Sequence, residues 1–212
     1  MISNCYYIGK GLVFTLQLMF GGIAIGVILG TLLSILRYGR VLGMLANGWV
    51  SLIRGTPLIL QLSIVYFMAP SIIGVRLDML SAGVISFGLN SSAYVAEILR
   101  SGVESLPKGQ FEAARTLGIP DFYMWKDIIL PQVIRNIWPA MVNEIIALLK
   151  ETTLISIIGG MDIMRRSQII AAEQFEYFMP LCIAGAYYYC LVLFIEFIGR
   201  KVERRMSHDK NS

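Results

Sequence analysis

The sequence predicts an all-α integral membrane protein, one domain over residues 1–212, with five transmembrane helices, the N-terminus outside and the C-terminus inside. Three observations lead there. Apolar residues make up 56% of the chain and charged ones only 15%, against roughly 25% charged in soluble domains, and the mean hydropathy is +0.67. Five apolar runs approach the roughly 20 residues that cross about 30 Å of hydrocarbon. A single polar insert, 100–131, divides the third run from the fourth.

The first run, Leu12 to Leu36, has Gln17 as its only strongly polar side chain. The second extends from about Pro57 to Val75 and the third from about Leu77 to Leu99. The fourth begins at Pro131 and reaches Ile158, interrupted by Asn143, Glu144, Lys150 and Glu151; the fifth covers about Met179 to Gly199. Five crossings put the termini on opposite faces, and basic residues accumulate on the inner face. With the N-terminus outside, the outer segments hold Lys10, Arg76, Lys150, Arg165 and Arg166. The inner ones hold the other 13 of the 18 basic residues: Arg37, Arg40, Arg54, Arg100, Lys108, Arg115, Lys126, Arg135, Arg200, Lys201, Arg204, Arg205 and Lys210. The net charge of +4 therefore reflects topology, and no nucleic-acid partner is expected. The first run is too long for a cleavable signal, with only Lys10 before it.

Cys5, Cys182 and Cys190 have neither redox nor metal spacing and read as small packing residues. With one histidine, His208, in the polar tail, no metal cluster or His-based catalysis is expected. Gly22, Gly26 and Gly30 recur every four residues and place three bare backbone patches on one face of the first span. Such stripes let membrane helices approach closely, within one chain or between subunits.

In the polar insert, Pro107 suits a first helical turn, Gly118 suits the left-handed position after a last turn, and Pro120 forbids continuation. One helix over about 107–118 follows, lying flat on the membrane's wet side. Phe111, Ala114 and Leu117 share a side and would form a docking face. Asp121 is expected to cap a second short helix, Phe122 to Ile129, before Pro131 opens the next span. No GxxxxGK[ST] phosphate loop occurs, so any nucleotide chemistry belongs to another chain.

Glu112-Ala113-Ala114, three residues, Gly118, nine residues, then Ile128-x-Leu130-Pro131 resembles the EAA loop of binding-protein-dependent ABC importer permeases. Further stretches resemble the polar amino-acid branch (histidine, glutamine and arginine permeases), with glutamine permeases nearest. These are Gly11-Leu12 with Thr15-Leu16, Arg54-Gly55-Thr56-Pro57-Leu58, Gln61-Leu62, the run Leu89 to Ile98 with Arg100, Gly109-Gln110, Asn143-Glu144, and Lys150-Glu151-Thr152. The resemblance implies a type I ABC importer permease fold in the cell inner membrane. It also implies a cytoplasmic ABC ATPase dimer, a second permease subunit (identical or paralogous) and an extracytoplasmic amino-acid-binding protein as partners. The helix around Glu112 would then be the coupling helix, with Gln110, Glu112, Ala113, Ala114 and Gly118 at the ATPase. The subunit itself would be no enzyme and hold no cofactor, ATP being bound by the partner.

Ionised side chains inside a span are costly and usually face a partner or a wet cavity. Glu97, Arg100 and Glu104 stand at i, i+3 and i+7 and read as an ion-pair ladder; Glu196 and Arg200 read as a pair. Glu144 lies roughly 20 Å along its helix from Pro131 at 1.5 Å per residue, and Glu151 shares its face. Asn143 and Lys150 occupy the adjacent stripe. Such stripes fit either a cavity that receives an amino acid's ammonium or a structural network between spans. The resemblance adds Asp162 to Glu144 as acids that line the path, and Asn90 and Tyr94, four apart, would contribute from the third span. Gln61 reads as path or interhelical clamp, and Tyr187-Tyr188-Tyr189 as packing. The expected function is an ATP-driven importer's permease subunit for a polar amino acid, glutamine first. The alternative is a self-sufficient secondary transporter or channel, for which inverted repeats would be the mark.

Overall fold

A computed structural model describes residues 2–37 and 39–208; Lys210 and the side chains of Arg40 and His208 lie outside the described residues. Every regular element among these residues is helical. Helices α1 (Ile2–Gly9) and α2 (Gly11–Leu36) form one rod, because Lys10 keeps helical angles and its N–H donates to Tyr6 O at 3.2 Å. The first apolar helix is therefore longer than the run from Leu12 predicted.

The predicted glycine stripe packs within the chain, on α6 (Met79–Glu104). Gly22 meets Phe87, Gly26 meets Ser91 and Gly30 meets Val95. A Cβ on Gly26 would stand 2.7 Å from the Ser91 side chain, so only bare backbone allows this approach. Contacts that advance together along both chains mean that α2 and α6 run parallel. Around Leu18, Leu62, Phe87, Leu148 and Ile155 they build the central core.

Two parallel rods need a return path. It consists of α3 (Arg40–Gly55), α4 (Leu58–Ser63), a π-helical stretch (Ile64–Met68) and α5 (Ala69–Ile73), ending at left-handed Gly74. The run expected from Pro57 is helical from Leu58 to Ile73, but a bent helix precedes it. The apolar segment Leu58–Met68 is bent by 102° from Val41–Gly55, and α3 had no counterpart in the predicted elements. Thr56, placed before Pro57, is forced into extended geometry (φ −117°, ψ 144°), which breaks the helix. Gln61 holds the elbow as a clamp: its Nε2 donates to Ile53 O at 2.8 Å and to Thr56 Oγ1 at 2.9 Å.

Asp78 caps α6, accepting from the amides of Leu80 and Ser81 and from the Ser81 hydroxyl. At the far end of α6 follow α7 (Lys108–Thr116) and α8 (Asp121–Tyr123), then a π-helical stretch (Met124–Ile129) that runs directly into α9 (Leu130–Glu151). The N-cap of α8 is Pro120, without a side-chain bond; Asp121 sits inside the first turn and does not cap it, contrary to expectation. Helix α9 lies antiparallel to α6, with Gly102 against Val133 and Ile137 at one end and Ser91 against Glu144 higher up. The fourth run does not stay α-helical to Ile158. It tightens to a 3₁₀ segment (Thr152–Ile158) that stops at Gly159 (φ +92°). Two more helices complete the described residues, α10 (Ile163–Gln174) and α11 (Phe178–His208). The first was not anticipated; the second runs antiparallel to α9, with the Trp138 indole donating to Gly199 O at 2.9 Å.

Among the described residues, three helices, Ile2–Leu36, Met79–Glu104 and Phe178–Met206, are long and apolar enough to cross a membrane, and a fourth crossing arises if the bent pair counts as one span. Helix α9 has sufficient length at 22 residues but carries Arg135, Glu144, Lys150 and Glu151.

Candidate coupling helix and polar stripe

Helix α7 is delimited as its capping residues predict. Pro107 is extended at the start (φ −59°, ψ 129°) and Gly118 is left-handed at the end (φ +68°). The Gly118 N–H donates to Arg115 O and the Ile119 N–H to Ala114 O, both at 3.0 Å. These two bonds form a Schellman motif, which satisfies carbonyls a helix end leaves open.

The expected docking face is reversed. Phe111 and Ala114 point into the chain's own core with Leu106, Met124, Ile129, Val133 and Ile137, and Ala114 is 3% exposed. Phe111 meets the Trp125 ring edge-on at 6.1 Å between centroids. Leu117 alone of that trio is exposed. Apolar periodicity marks the side a helix buries, and here that side anchors α7 to α9. The free surface of α7 consists of Lys108, Gly109, Glu112, Ala113, Arg115 and Thr116. Gln110 is half-buried and exchanges two hydrogen bonds with Gln132 of α9, at 3.0 and 2.7 Å. Gly118 has open space around it.

On α9, Glu144 and Glu151 share a face as predicted, and that face meets α6. The Ser91 hydroxyl donates to Glu144 Oε1 at 2.6 Å, and Asn90 Nδ2 reaches Glu151 Oε2 at 3.5 Å. Asn90 is buried. Asn143 and Lys150 form the neighbouring stripe and are exposed. Tyr94, one turn beyond Asn90, is partly exposed under the Arg54 guanidinium, 5.6 Å from its ring centroid.

Asp162 stands elsewhere. It is fully buried at the N-cap of α10, where Oδ1 accepts from Arg165 N at 2.7 Å and Oδ2 from the Tyr188 hydroxyl at 3.1 Å. The Thr15 hydroxyl of α2 is 3.4 Å from Ile163 N, so this corner fastens α2, α10 and α11 together. Tyr187 also ties α11 down, donating to Cys5 O at 3.1 Å, whereas Tyr189 is exposed.

The Glu97–Arg100–Glu104 ladder forms, with Arg100 reaching Glu97 at 2.9 Å and Glu104 at 2.8 Å. It is also larger than the spacing foretold. Arg37 at the end of α2 pairs with Glu97 at 2.6 Å and Arg54 of α3 approaches it at 3.5 Å. One carboxylate thus gathers three helices. No i, i+4 rule links residues so far apart in sequence, and only the run of basic residues at span ends hinted at it. Ser91 was likewise missed as the partner of Glu144; the polar run Asn90-Ser91-Ser92 was its signal.

The chain is 48% identical over 202 residues to a Rickettsia typhi protein provisionally named glutamine transport system permease protein GlnP, covering 94% of this chain and 93% of that one. It is 46% identical to the arginine transport system permease protein ArtQ of Bacillus subtilis (97% and 94% covered) and 34% identical to the L-cystine transport system permease protein TcyB of the same species (92% and 85%). A crystallised amino acid ABC transporter with histidines superposes with a TM-score of 0.90 at 36% identity over 97% of this chain and 96% of that one. The inward-facing MetNI methionine ABC transporter shares the fold, with a TM-score of 0.74 at 20% identity over 94% of each chain. Residues 22–208 match the binding-protein-dependent transport system inner membrane component. With that match over most of its length, the chain belongs to this family and is an inner-membrane permease component with the ABC permease fold.

Proposed function

We propose that the chain is the membrane-spanning subunit of an ATP-driven, binding-protein-dependent importer of polar amino acids, and that α7 is its coupling helix. One observation carries this reading. The Glu112-Ala113 face is exposed, while its opposite side is fastened to α9 through the Gln110–Gln132 bonds and to the π-helical stretch leading into α9 through the Phe111–Trp125 contact. A short helix tied this firmly moves as a lever with the spans it joins. When a partner ATPase dimer closes on ATP, displacement of its groove would carry α7, α6 and α9 together and open the path outward. Hydrolysis would reset it.

The relative directions of the helices support five crossings. If α2 runs inward, parallel α6 does too; the bent return and antiparallel α9 then run outward, and α11 inward. Placing the N-terminus outside agrees with the 13 basic residues on the inner segments. Helix α9 crosses despite its charges because Glu144 and Glu151 face α6, while Asn143 and Lys150 face away from the chain's own core. That outward stripe would be shielded from lipid by the second permease subunit, identical or paralogous, across the solute path.

ATP is bound by the partner; this subunit catalyses no covalent step and takes no cofactor. An extracytoplasmic binding protein delivers the substrate. Relatives named for arginine, glutamine and cystine have the α-ammonium and α-carboxylate of an amino acid in common. Glu144, Glu151 and Asn90 offer acceptors to such an ammonium, with Tyr94 further inward. Asp162 serves the path by fixing its outer wall. Glutamine is the first substrate to try. The test is a cross-link: in a background with Cys5, Cys182 and Cys190 replaced by serine, Ala113→Cys should join the partner ATPase through a short bifunctional reagent. Absence of that product in an assembled complex would contradict the coupling assignment.

A further inference from the structure

We propose that the final turns of α11 form a binding site for the headgroup of an anionic phospholipid. Phe197, Arg200, Lys201, Arg204 and Arg205 line a groove of about 360 Å³ that the transport reading does not use. At 100° per residue (3.6 per turn), Phe197, Lys201 and Arg204 lie within about 60° of one another, and Arg205 lies beside them. Glu196 and Glu203 fall about 100° or more from Phe197, on the margin. Arg200, at that margin, is partly neutralised, pairing with Glu196 at 3.4 Å.

The apolar approach to this cluster decides the class of ligand. The same helix face carries Phe194 and Phe197, 61% and 62% exposed, with Leu193 and Ile198 beside them. Only 6% of the residues in the apolar stretch of α11 are fully buried by its own chain. Within one turn, about 5.4 Å, the face changes from aromatic to cationic. An acyl chain along Phe194 and Phe197 with its phosphate among Lys201, Arg204 and Arg205 matches both halves, and basic clusters just beyond a span attract anionic headgroups. The site rests on the inward placement of the α11 C-terminus.

The experiment uses the assembled permease–ATPase complex in bilayers of phosphatidylcholine with phosphatidylglycerol. Selectivity for spin-labelled phosphatidylglycerol over phosphatidylcholine is measured for the native protein and for a triple variant, Lys201→Gln, Arg204→Gln and Arg205→Gln. The native complex should prefer phosphatidylglycerol, and high salt should weaken that preference. The variant should bind this lipid about 100-fold more weakly, three charges being removed. Unchanged selectivity in the variant, or a native preference indifferent to salt, would overturn the site. So would competition by inorganic phosphate as strong as by the lipid, or loss of the ATPase from the variant complex with selectivity intact. Lipid selectivity is read without any transport, so a complex that selects phosphatidylglycerol yet imports nothing contradicts the importer reading alone.

Discussion

Gln110 and Gln132 exchange hydrogen bonds in both directions, 3.0 and 2.7 Å long, and so join the first turn of α7 to the first turns of α9. Each amide gives and takes, so losing either side chain removes both bonds. A net hydrogen bond contributes about 0.5–1.5 kcal/mol. Gln110→Ala and Gln132→Ala should therefore each cost about 1–3 kcal/mol, and the double variant no more than Gln132→Ala alone, whose side chain also donates to Ile128 O at 2.8 Å. Thermal melts of the detergent-solubilised protein test the stability. ATPase stimulation by the loaded binding protein should fall in all three, because the lever is loosened.

Gly118→Ala should impair coupling by a different route. The left-handed backbone at Gly118 (φ +68°) has open space around it, so a Cβ meets no neighbour and the cost is conformational, roughly 1–2 kcal/mol. Gly118→Asn should recover much of the loss, since Asn visits that region more readily. Equal activity of the Ala and Asn variants would show that backbone conformation is not what this glycine supplies.

Glu97→Gln should destabilise the inner ends of α2, α3 and α6 together. Arg37 is only 11% exposed, and a buried cation left without its carboxylate costs about 3–5 kcal/mol. Combining Glu97→Gln with Arg37→Gln should restore part of the melting temperature. A double variant worse than both singles would mean that the ion pair is not the source of the effect.

Acid should reveal the cap of α6. The Asp78 carboxyl is held below its ordinary value, first by the Ser81 hydroxyl and then by the Ser81 amide. A carboxyl lowered on folding contributes stability that is fully present above the unfolded value, about 3.9, and is lost as pH falls through the folded one. The melting-temperature gap between native protein and Asp78→Ala should thus be constant near neutrality and shrink below about pH 4. A gap that persists at pH 2 would remove the carboxylate from the account.

Gly26→Leu should abolish folding, whereas Gly48→Ala should be tolerated. A Cβ at Gly26 falls 2.7 Å from Ser91, while at Gly48 nothing lies within 4 Å. Expression and gel-filtration profiles of the two variants check the contrast.

Much of this was legible from residue types alone. Pro107, Gly118 and Pro120 delimit α7 because their backbone preferences are local, and Gly22, Gly26 and Gly30 mark a close seam for the same reason. Whether that seam joined one chain or two was decided only by the folded partner, α6. The buried side of α7 was misread because Phe111 and Ala114 look alike whether they serve a neighbour in the chain or a separate subunit. Helix α3 went unnoticed since Arg40, Asn47 and Arg54 break any long apolar run, and the 102° bend follows from an extended Thr56 before Pro57. At the polar stripe, the sevenfold spacing of Glu144 and Glu151 gave their common face. Their partners Asn90 and Ser91 came from another helix, beyond the reach of any local rule.

Uphill uptake in proteoliposomes tests the central claim most directly. The chain is reconstituted with its partner permease, if that is distinct, and with the binding protein supplied outside. Radiolabelled glutamine accumulation is then followed with and without the ATPase and internal ATP. Accumulation above the external concentration should require both, and should vanish when the Glu112-Ala113 face is altered by Ala113→Arg. Concentrative uptake in the absence of the ATPase would contradict the account.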